Sequence, residues 1–412
     1  MRIIHTSDWH LGHELHEYAR GTENDAFLNW LLKQIQDTSA DALIVTGDLY
    51  DVTNPAVDAQ QRFYRFLRES LAQSPHLQIV VVGGNHDSPA RIELPKELVD
   101  PERVFLIGAM PYRDGQLDTE RIIIPLRNGG GVVKAVCVSV PFLRPGDVAH
   151  YGPEQDGVAA LYTELVQKAA MFAGHVPVIV TGHLHVRGGM PSEWSERRIF
   201  VGGSEAVPAE VFPEGVAYVA LGHLHRPQVI APHPEIRYAG APFPMSMDER
   251  EYQHSIVVVD VNVEHVSTST IPVPRPVRFL RVPENGALLL AQVESALRAL
   301  DVGDVTPESR PYLEIFVRVE TAEPDLRQRI EAALEGKSVR LTRVVRQTSG
   351  QGGSLADGLA DAPDLSELLP EEVFRRMHVQ EFSDDPPEVM MKSFRELVSS
   401  VSDKTAAEVG AN

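Results

Sequence analysis

Ala42-Leu43-Ile44-Val45-Thr46-Gly47-Asp48-Leu49-Tyr50-Asp51 sets a short apolar run directly against a glycine and two carboxylates. Such a run, closed by glycine, reads as a strand buried on both faces, as in a parallel sheet. The pattern recurs along the chain. Ile3-Ile4 leads into Asp8-Trp9-His10, and Ile79-Val80-Val81-Val82 leads into Gly84-Asn85-His86-Asp87. Val178-Ile179-Val180 leads into Gly182-His183, and residues 216–221 lead into Gly222-His223-Leu224-His225. Ligands at the C-terminal ends of strands converge on one edge of an open sheet, where α/β proteins place their sites. Between the strands, residues 24–36 carry Phe27, Leu28, Leu31, Leu32 and Ile35 at helical spacing, and residues 58–73 carry Phe63, Tyr64, Phe66, Leu67 and Leu71. A layered α/β domain is expected over residues 1–270.

Beyond it the organisation changes. Pro272, Pro274 and Pro276 favour extended chain and mark a linker. Residues 277–347 follow a βαβαβ order, enough for a small sheet covered by two helices. Residues 348–365 are rich in Gly, Ser and Asp and read as flexible. Residues 366–402 form a helical tail, one helix opened by Pro370 with Phe374 and Met377, the other by Pro387 with Phe394 and Leu397. Neither helix can bury its apolar face alone, so both are expected to dock on another surface.

Composition narrows the class. The 412 residues are 43% hydrophobic and 23% charged, as in soluble multidomain proteins. No apolar stretch reaches the roughly 20 residues that span a bilayer. The chain opens on a strand-like segment with no room for a secretion signal, so a cytoplasmic location without membrane association is expected. The single cysteine, Cys137, lies in an apolar strand and reads as a structural thiol. A net charge of −20 argues against a bulk nucleic-acid partner. Residues 351–412 carry −8 of it, however, and metal would neutralise carboxylates at the strand ends. Any DNA-binding surface must be local, and no basic run marks one.

The five motifs hold a mixed donor set. Asp8, Asp48 and Asn85 offer oxygen; His10, His183, His223 and His225 offer nitrogen, which suits manganese, magnesium or iron. Residues i and i+2, as in Asp8/His10 and His223/His225, would share one side of an extended segment. Two ions about 3.5–4 Å apart need a bridging group, for which Asp48 is the candidate, and such a pair hydrolyses phosphodiesters. His86, one residue past Asn85, is placed to position phosphate and protonate a leaving oxygen. Asp87 is a candidate to orient that imidazole. Asp51 is read as a helix cap or a support for a ligand, His185 as substrate-proximal or structural, and His13 and His16 as polar rim residues near the substrate. His5 reads as a satisfied strand histidine, and Trp9 as packing beneath the site. Taken singly, an Asp-x-His pair is usually an ordinary loop pair; five such motifs in this order are not.

These motifs resemble those of the calcineurin-like metallophosphoesterases. The longer strings Met1-Arg2-Ile3-Ile4-His5-Thr6-Ser7-Asp8-Trp9-His10-Leu11-Gly12, Gly83-Gly84-Asn85-His86-Asp87-Ser88 and Val140-Pro141-Phe142-Leu143-Arg144-Pro145 resemble, more narrowly, the nuclease subunits of bacterial SbcCD complexes, the SbcD family. Ala220-Leu221-Gly222-His223-Leu224-His225-Arg226 and Gly240-Ala241-Pro242-Phe243-Pro244 continue the likeness, and Leu369 to Arg375 resembles the family's partner-binding helices. The resemblance implies a layered nuclease domain, a DNA-capping βαβαβ domain and a tail that binds the ATPase subunit SbcC through Phe374, Met377, Phe394 and Leu397. It implies two Mn2+, with Mg2+ or Fe2+ as substitutes. Asp8, His10, Asp48 and His225 would hold one ion, Asp48, Asn85, His183 and His223 the other, and His86 would be catalytic. It further implies a homodimer within a heterotetramer, paired through residues 58–73 and the stretch after Pro89. The implied activity is ATP-dependent 3′–5′ exonuclease action on duplex ends, with endonuclease action on hairpins and single strands, in DNA repair, recombination and replication at the nucleoid. A small-molecule phosphodiesterase of the same superfamily, or a non-catalytic metal-binding scaffold, is the alternative.

Overall fold

The computed structural model describes residues 1–113, 116–152, 154–192, 206–262, 265–320 and 323–348, with residues 371, 374, 375, 378, 385–387 and 390–395 of the tail. The chain divides into two compact units, Met1–Val277 and Arg278–Asn412.

The first unit runs β1 (Arg2–Thr6), α1 (Gly21–Asp37), β2 (Ala42–Thr46), α2 (Val57–Gln73), β3 (Gln78–Val82) and β4 (Val104–Ile107). It continues through β5 (Ile123–Arg127), β6 (Val133–Val138), α3 (Glu154–Ala173), β7 (Val178–His183) and β8 (Val216–Gly222). Its last strands are β9 (Gln228–Ile230), β10 (His233–Tyr238), β11 (Ser255–Val261) and β12 (Val266–Pro272). One six-stranded sheet has the order β12-β11-β1-β2-β3-β4, the other β9-β10-β8-β7-β6-β5. Within the first, β1 to β4 are parallel; within the second, β6, β7, β8 and β10 are parallel.

Strand alternation explains the layering. Ile3, Ile44, Val80 and Val82 point to one side of the first sheet and share a core with the second sheet and with Val158, Leu161 and Leu165 of α3. Ile4, Leu43, Val45 and Val81 point to the other side and meet Phe27 and Leu31 of α1 and Phe63 and Phe66 of α2. Successive side chains of a strand face opposite ways, so a strand apolar at every position must be covered twice. Burying each such Leu, Ile or Phe contributes about 1.5–3 kcal/mol. The near-continuous run at residues 42–45 is therefore the signature of a middle layer. Cys137 is fully buried in β6, and its thiol is pushed up to about 12 by that burial. Pro272 ends the edge strand β12, where its missing N–H costs no ladder bond, and Val273 still packs in the core. The expected proline linker thus starts inside the first unit.

The second unit contains β13 (Phe279–Val282), β14 (Leu288–Leu289), α4 (Leu290–Ala299), β15 (Tyr312–Val319), α5 (Leu326–Ala333) and β16 (Arg340–Thr348). Central β15 runs parallel to the other three, with β13 and β14 along one side and β16 along the other. Leu313, Ile315 and Val317 meet Val293, Leu297 and Ile330 of the two helices in its core. The two-residue β14 is too short to leave a periodic signal. In the tail, the described residues 371, 374, 375, 378 and 390–395 are helical. Among the described residues no helix is long and apolar enough to cross a membrane.

Candidate metal centre

Parallel β1, β2 and β3 bring the loops carrying Asp8 and His10, Asp48, and Asn85 and His86 to one edge. His183 ends β7, and His223 and His225 follow β8. Close backbone approach joins the two sheets there. A Cβ on Gly222 would stand 1.9 Å from the Thr46 carbonyl oxygen, and one on Gly84 would stand 2.1 Å from Asp48 Oδ1. Neither position tolerates a side chain without parting the loops. His5 adds a polar tie between the sheets, its Nδ1 2.9 Å from the Tyr218 hydroxyl and its Nε2 3.0 Å from Thr46 Oγ1. Trp9 packs beneath the loops edge-on to Phe27 and Phe66.

The loops are not extended. Asp8, His10, Asp48 and His223 all have positive φ, at 52°, 42°, 46° and 98°. The expectation that i and i+2 share one side of an extended segment therefore needs correction. The backbone N–H groups of Asp8 and His10 donate to the carbonyls of Gly47 and Asp48 at 3.0 Å, which holds these strained turns against the β2 loop. Non-glycine residues in the left-handed region cost about 1–3 kcal/mol each and cluster at functional sites.

The turns produce two clusters. Ligand atoms of Asp8, His10 and His225 lie within 4.8 Å of one another, as do those of Asp48, His183 and His223. Asp48 also joins His10 and His86 in such a group. All six members of the first two clusters are between 0% and 4% exposed. Asn85 stands beside the second cluster, its Oδ1 2.9 Å from His183 Nε2.

Hydrogen bonds set the imidazole tautomers. His183 Nδ1 donates to the Thr46 carbonyl at 2.8 Å, and His86 Nδ1 to the Asp51 carbonyl at 2.7 Å. His10 Nδ1 lies 3.2 Å from Asp51 Oδ1, and His225 Nδ1 lies 2.8 Å from Glu249 Oε1. With Nδ1 donating, each Nε2 presents a lone pair. His10 Nε2 and His225 Nε2 then face each other at 3.2 Å, and His183 Nε2 faces Asp48 Oδ2 at 3.3 Å. Facing acceptors in a buried site require positive charge among them. The titration behaviour agrees. Burial opposes it, but the carboxylates of Asp48 and Asp8 push His183 up to about 9. Burial likewise works against ionising Asp48, yet the surrounding His183, His86 and His10 hold it well below the usual carboxylate range. The residues present fit divalent cations, with Asp48 between the clusters.

The remaining expected residues separate. Asp51 does not cap α2, whose first turn starts from Ala56; it supports His10 and His86. Asp87 accepts from the backbone N–H groups of Leu49, Tyr50 and Gly84, at 3.1, 2.9 and 2.9 Å. It therefore staples the second loop to the third, while the His86 imidazole is held by the Asp51 carbonyl. His185 Nε2 donates to the Gly189 carbonyl at 3.2 Å within its own loop. His13 lies 3.4 Å from Arg20 Nη1, with its ring 6.5 Å from that of His10. Phe374 and Phe394 stack on each other at 4.3 Å and 10°. Met377 and Leu397 lie outside the described residues. Glu249, fully buried behind His225, was not anticipated; a lone glutamate 24 residues beyond its partner carries no sequence signal.

The chain matches the family model described as calcineurin-like phosphoesterase over residues 1–227. Residues 273–382 match one described as type 5 capsule protein repressor C-terminal domain. Among curated relatives, the SbcD subunit of nuclease SbcCD from Rhodobacter capsulatus is 37% identical over 91% of this chain and 93% of its own. The SbcD of Escherichia coli K12 is 32% identical over 96% of this chain and 97% of its own. The SbcD of Bacillus subtilis is 34% identical over 63% of this chain and 66% of its own.

Proposed function

Since this chain belongs to the calcineurin-like phosphoesterases and, within them, to the SbcD family of SbcCD nuclease subunits, we propose that it is a two-metal DNA phosphodiesterase acting with an SbcC ATPase. The observation that carries the reading is the pair of buried clusters whose lone pairs converge around Asp48. Asp8, His10, Asp48 and His225 would hold one cation, and Asp48, Asn85, His183 and His223 the other, with Mn2+ as the working metal. When bound, the cations supply Lewis acidity and charge neutralisation at the scissile phosphate. His86 positions that phosphate and gives a proton to the leaving oxygen, its ring oriented by the Asp51 carbonyl. Asp87 keeps the loops bearing His86 and Asp48 in register.

The finer assignment follows the same premise: ATP-dependent 3′–5′ exonuclease and hairpin endonuclease action in repair, recombination and replication, in the cytoplasm at the nucleoid. A homodimer would pair through α2 and the stretch after Pro89, where Leu98 is 89% exposed. Residues 277–347 would cap DNA, and the tail would bind SbcC.

Purified protein with Mn2+ on hairpin and linear duplex DNA, with and without SbcC, tests the proposal. Metal-dependent cutting that Asp48→Ala abolishes is expected. Turnover confined to a small phosphodiester, with DNA left intact, would favour the small-molecule reading.

A further inference from the structure

Two carboxylates that are not among the expected ligands stand behind one cluster. Asp51 lies behind His10 and Glu249 behind His225, each at the Nδ1 of the imidazole it backs. On the other cluster, His183 is backed by the neutral carbonyl of Thr46. The charge count is therefore uneven. Among the described residues, Asp8, Asp51 and Glu249 attend the first position in addition to the shared Asp48, whereas Asp87, the further buried carboxylate near Asp48, is taken up by the backbone N–H groups of Leu49, Tyr50 and Gly84 and backs no imidazole of the second.

We propose that the two cation positions are unequal, and that Glu249 is the positioning residue that makes the Asp8–His10–His225 position fill first. The inference rests on the metal-centre reading above and goes beyond it to the order of loading. A carboxylate accepting the Nδ1 proton fixes the tautomer and makes Nε2 a stronger donor to metal. Divalent-ion affinity also rises with the number of carboxylates around a site and with its rigidity.

Glu249 is held in place. Its Oε2 accepts the Met245 N–H at 2.7 Å, leaving Oε1 aimed at His225. The preceding residue, Pro244, is anchored in turn by a 2.6 Å bond from Arg20 Nη1 to its carbonyl. Arg20 is itself fixed at the start of α1 by a buried two-pronged pair with Glu23, at 2.6 and 2.9 Å. A run of buried contacts thus leads from the first turn of α1 to one imidazole.

The test uses Mn2+ alone with the full ion-free chain, by calorimetric titration and by electron paramagnetic resonance of free and bound ion. Native protein should show two constants, one clearly tighter. Glu249→Gln keeps size and removes charge; it should weaken the tight constant roughly 10–100-fold and leave the weak one within about threefold. Asp51→Asn, at a more exposed position, should act on the same constant through His10, which keeps the test alive if Glu249→Gln fails to fold. A general loss of structure would move both constants, so the selective shift identifies positioning. Equal constants in the native chain, or variants that weaken only the second constant or neither, would overturn the proposal. No DNA enters the measurement. Absent DNA cleavage with the constants split as expected would sink the nuclease reading alone, and intact cleavage with unmoved constants would sink this inference alone.

Discussion

His86 shows how one backbone acceptor can assign a role. Its Nδ1 is committed to the Asp51 carbonyl, so its Nε2 is the atom that can carry a proton to substrate. His86→Gln should leave Mn2+ binding intact and lower kcat by roughly 10²–10⁴-fold, the usual contribution of acid–base catalysis. Unchanged turnover on hairpin DNA with full metal content would remove His86 from the proton transfer. His254 gives a second prediction at this scale. It is 5% exposed, its Nδ1 donates to the Ala241 carbonyl at 2.8 Å, and its Nε2 has no partner among the described residues. Burial lowers it to about 4, against about 6.5 unfolded. The native state then binds fewer protons in between, so the stability is present above pH 6.5 and drains as pH falls toward 4. Acidification from pH 7 to 5 should cost about 2 kcal/mol through this group. His254→Asn should flatten the acid dependence of the urea midpoint by that amount, and an unaltered slope would contradict it.

Among the elements, the meeting of β2 and β8 matters most, because it joins a sheet that carries four of the candidate ligands to one that carries the other three. Gly222→Ala would drive a methyl into the Thr46 carbonyl and Ser7 Oγ. We expect a loss of about 1–3 kcal/mol from overpacking, with Mn2+ binding falling further than stability alone explains. Thermal melts with and without the ion would reveal whether the two losses separate. In the tail, Phe374 and Phe394, both expected to bind SbcC, stack on each other. Each Phe→Ala should weaken SbcC binding by about 2 kcal/mol. Because each ring supports the other, the double substitution should cost clearly less than the sum. Strict additivity in a double-mutant cycle would mean that the rings act apart.

Across the whole molecule, the residue 278–348 fold and the tail are what separate this chain from a lone phosphoesterase domain. Deleting residues 370–412 should abolish association with SbcC and spare Mn2+-dependent cutting of simple substrates. The tail carries apolar faces and excess negative charge, which favours a protein groove over DNA. Gel filtration of the truncated chain with SbcC decides it, since undiminished co-elution would place the partner on residues 1–369.

The sequence by itself determined the layered α/β class, the helices over residues 24–36 and 58–73, and the oxygen and nitrogen donor types at five strand ends. Local pattern was enough for these, because a strand covered on both faces must be apolar throughout and carboxylate, amide and imidazole donors are the types that suit manganese or iron. Tertiary structure alone decided which donors face one another. The positive φ at Asp8, His10, Asp48 and His223 is held by bonds to a neighbouring loop, and no dipeptide propensity encodes it. The same holds for Glu249, Asp51 and the Thr46 carbonyl. Their orienting bonds join residues 24, 41 and 137 positions apart, so they exist only once strands and loops distant in the chain have come together.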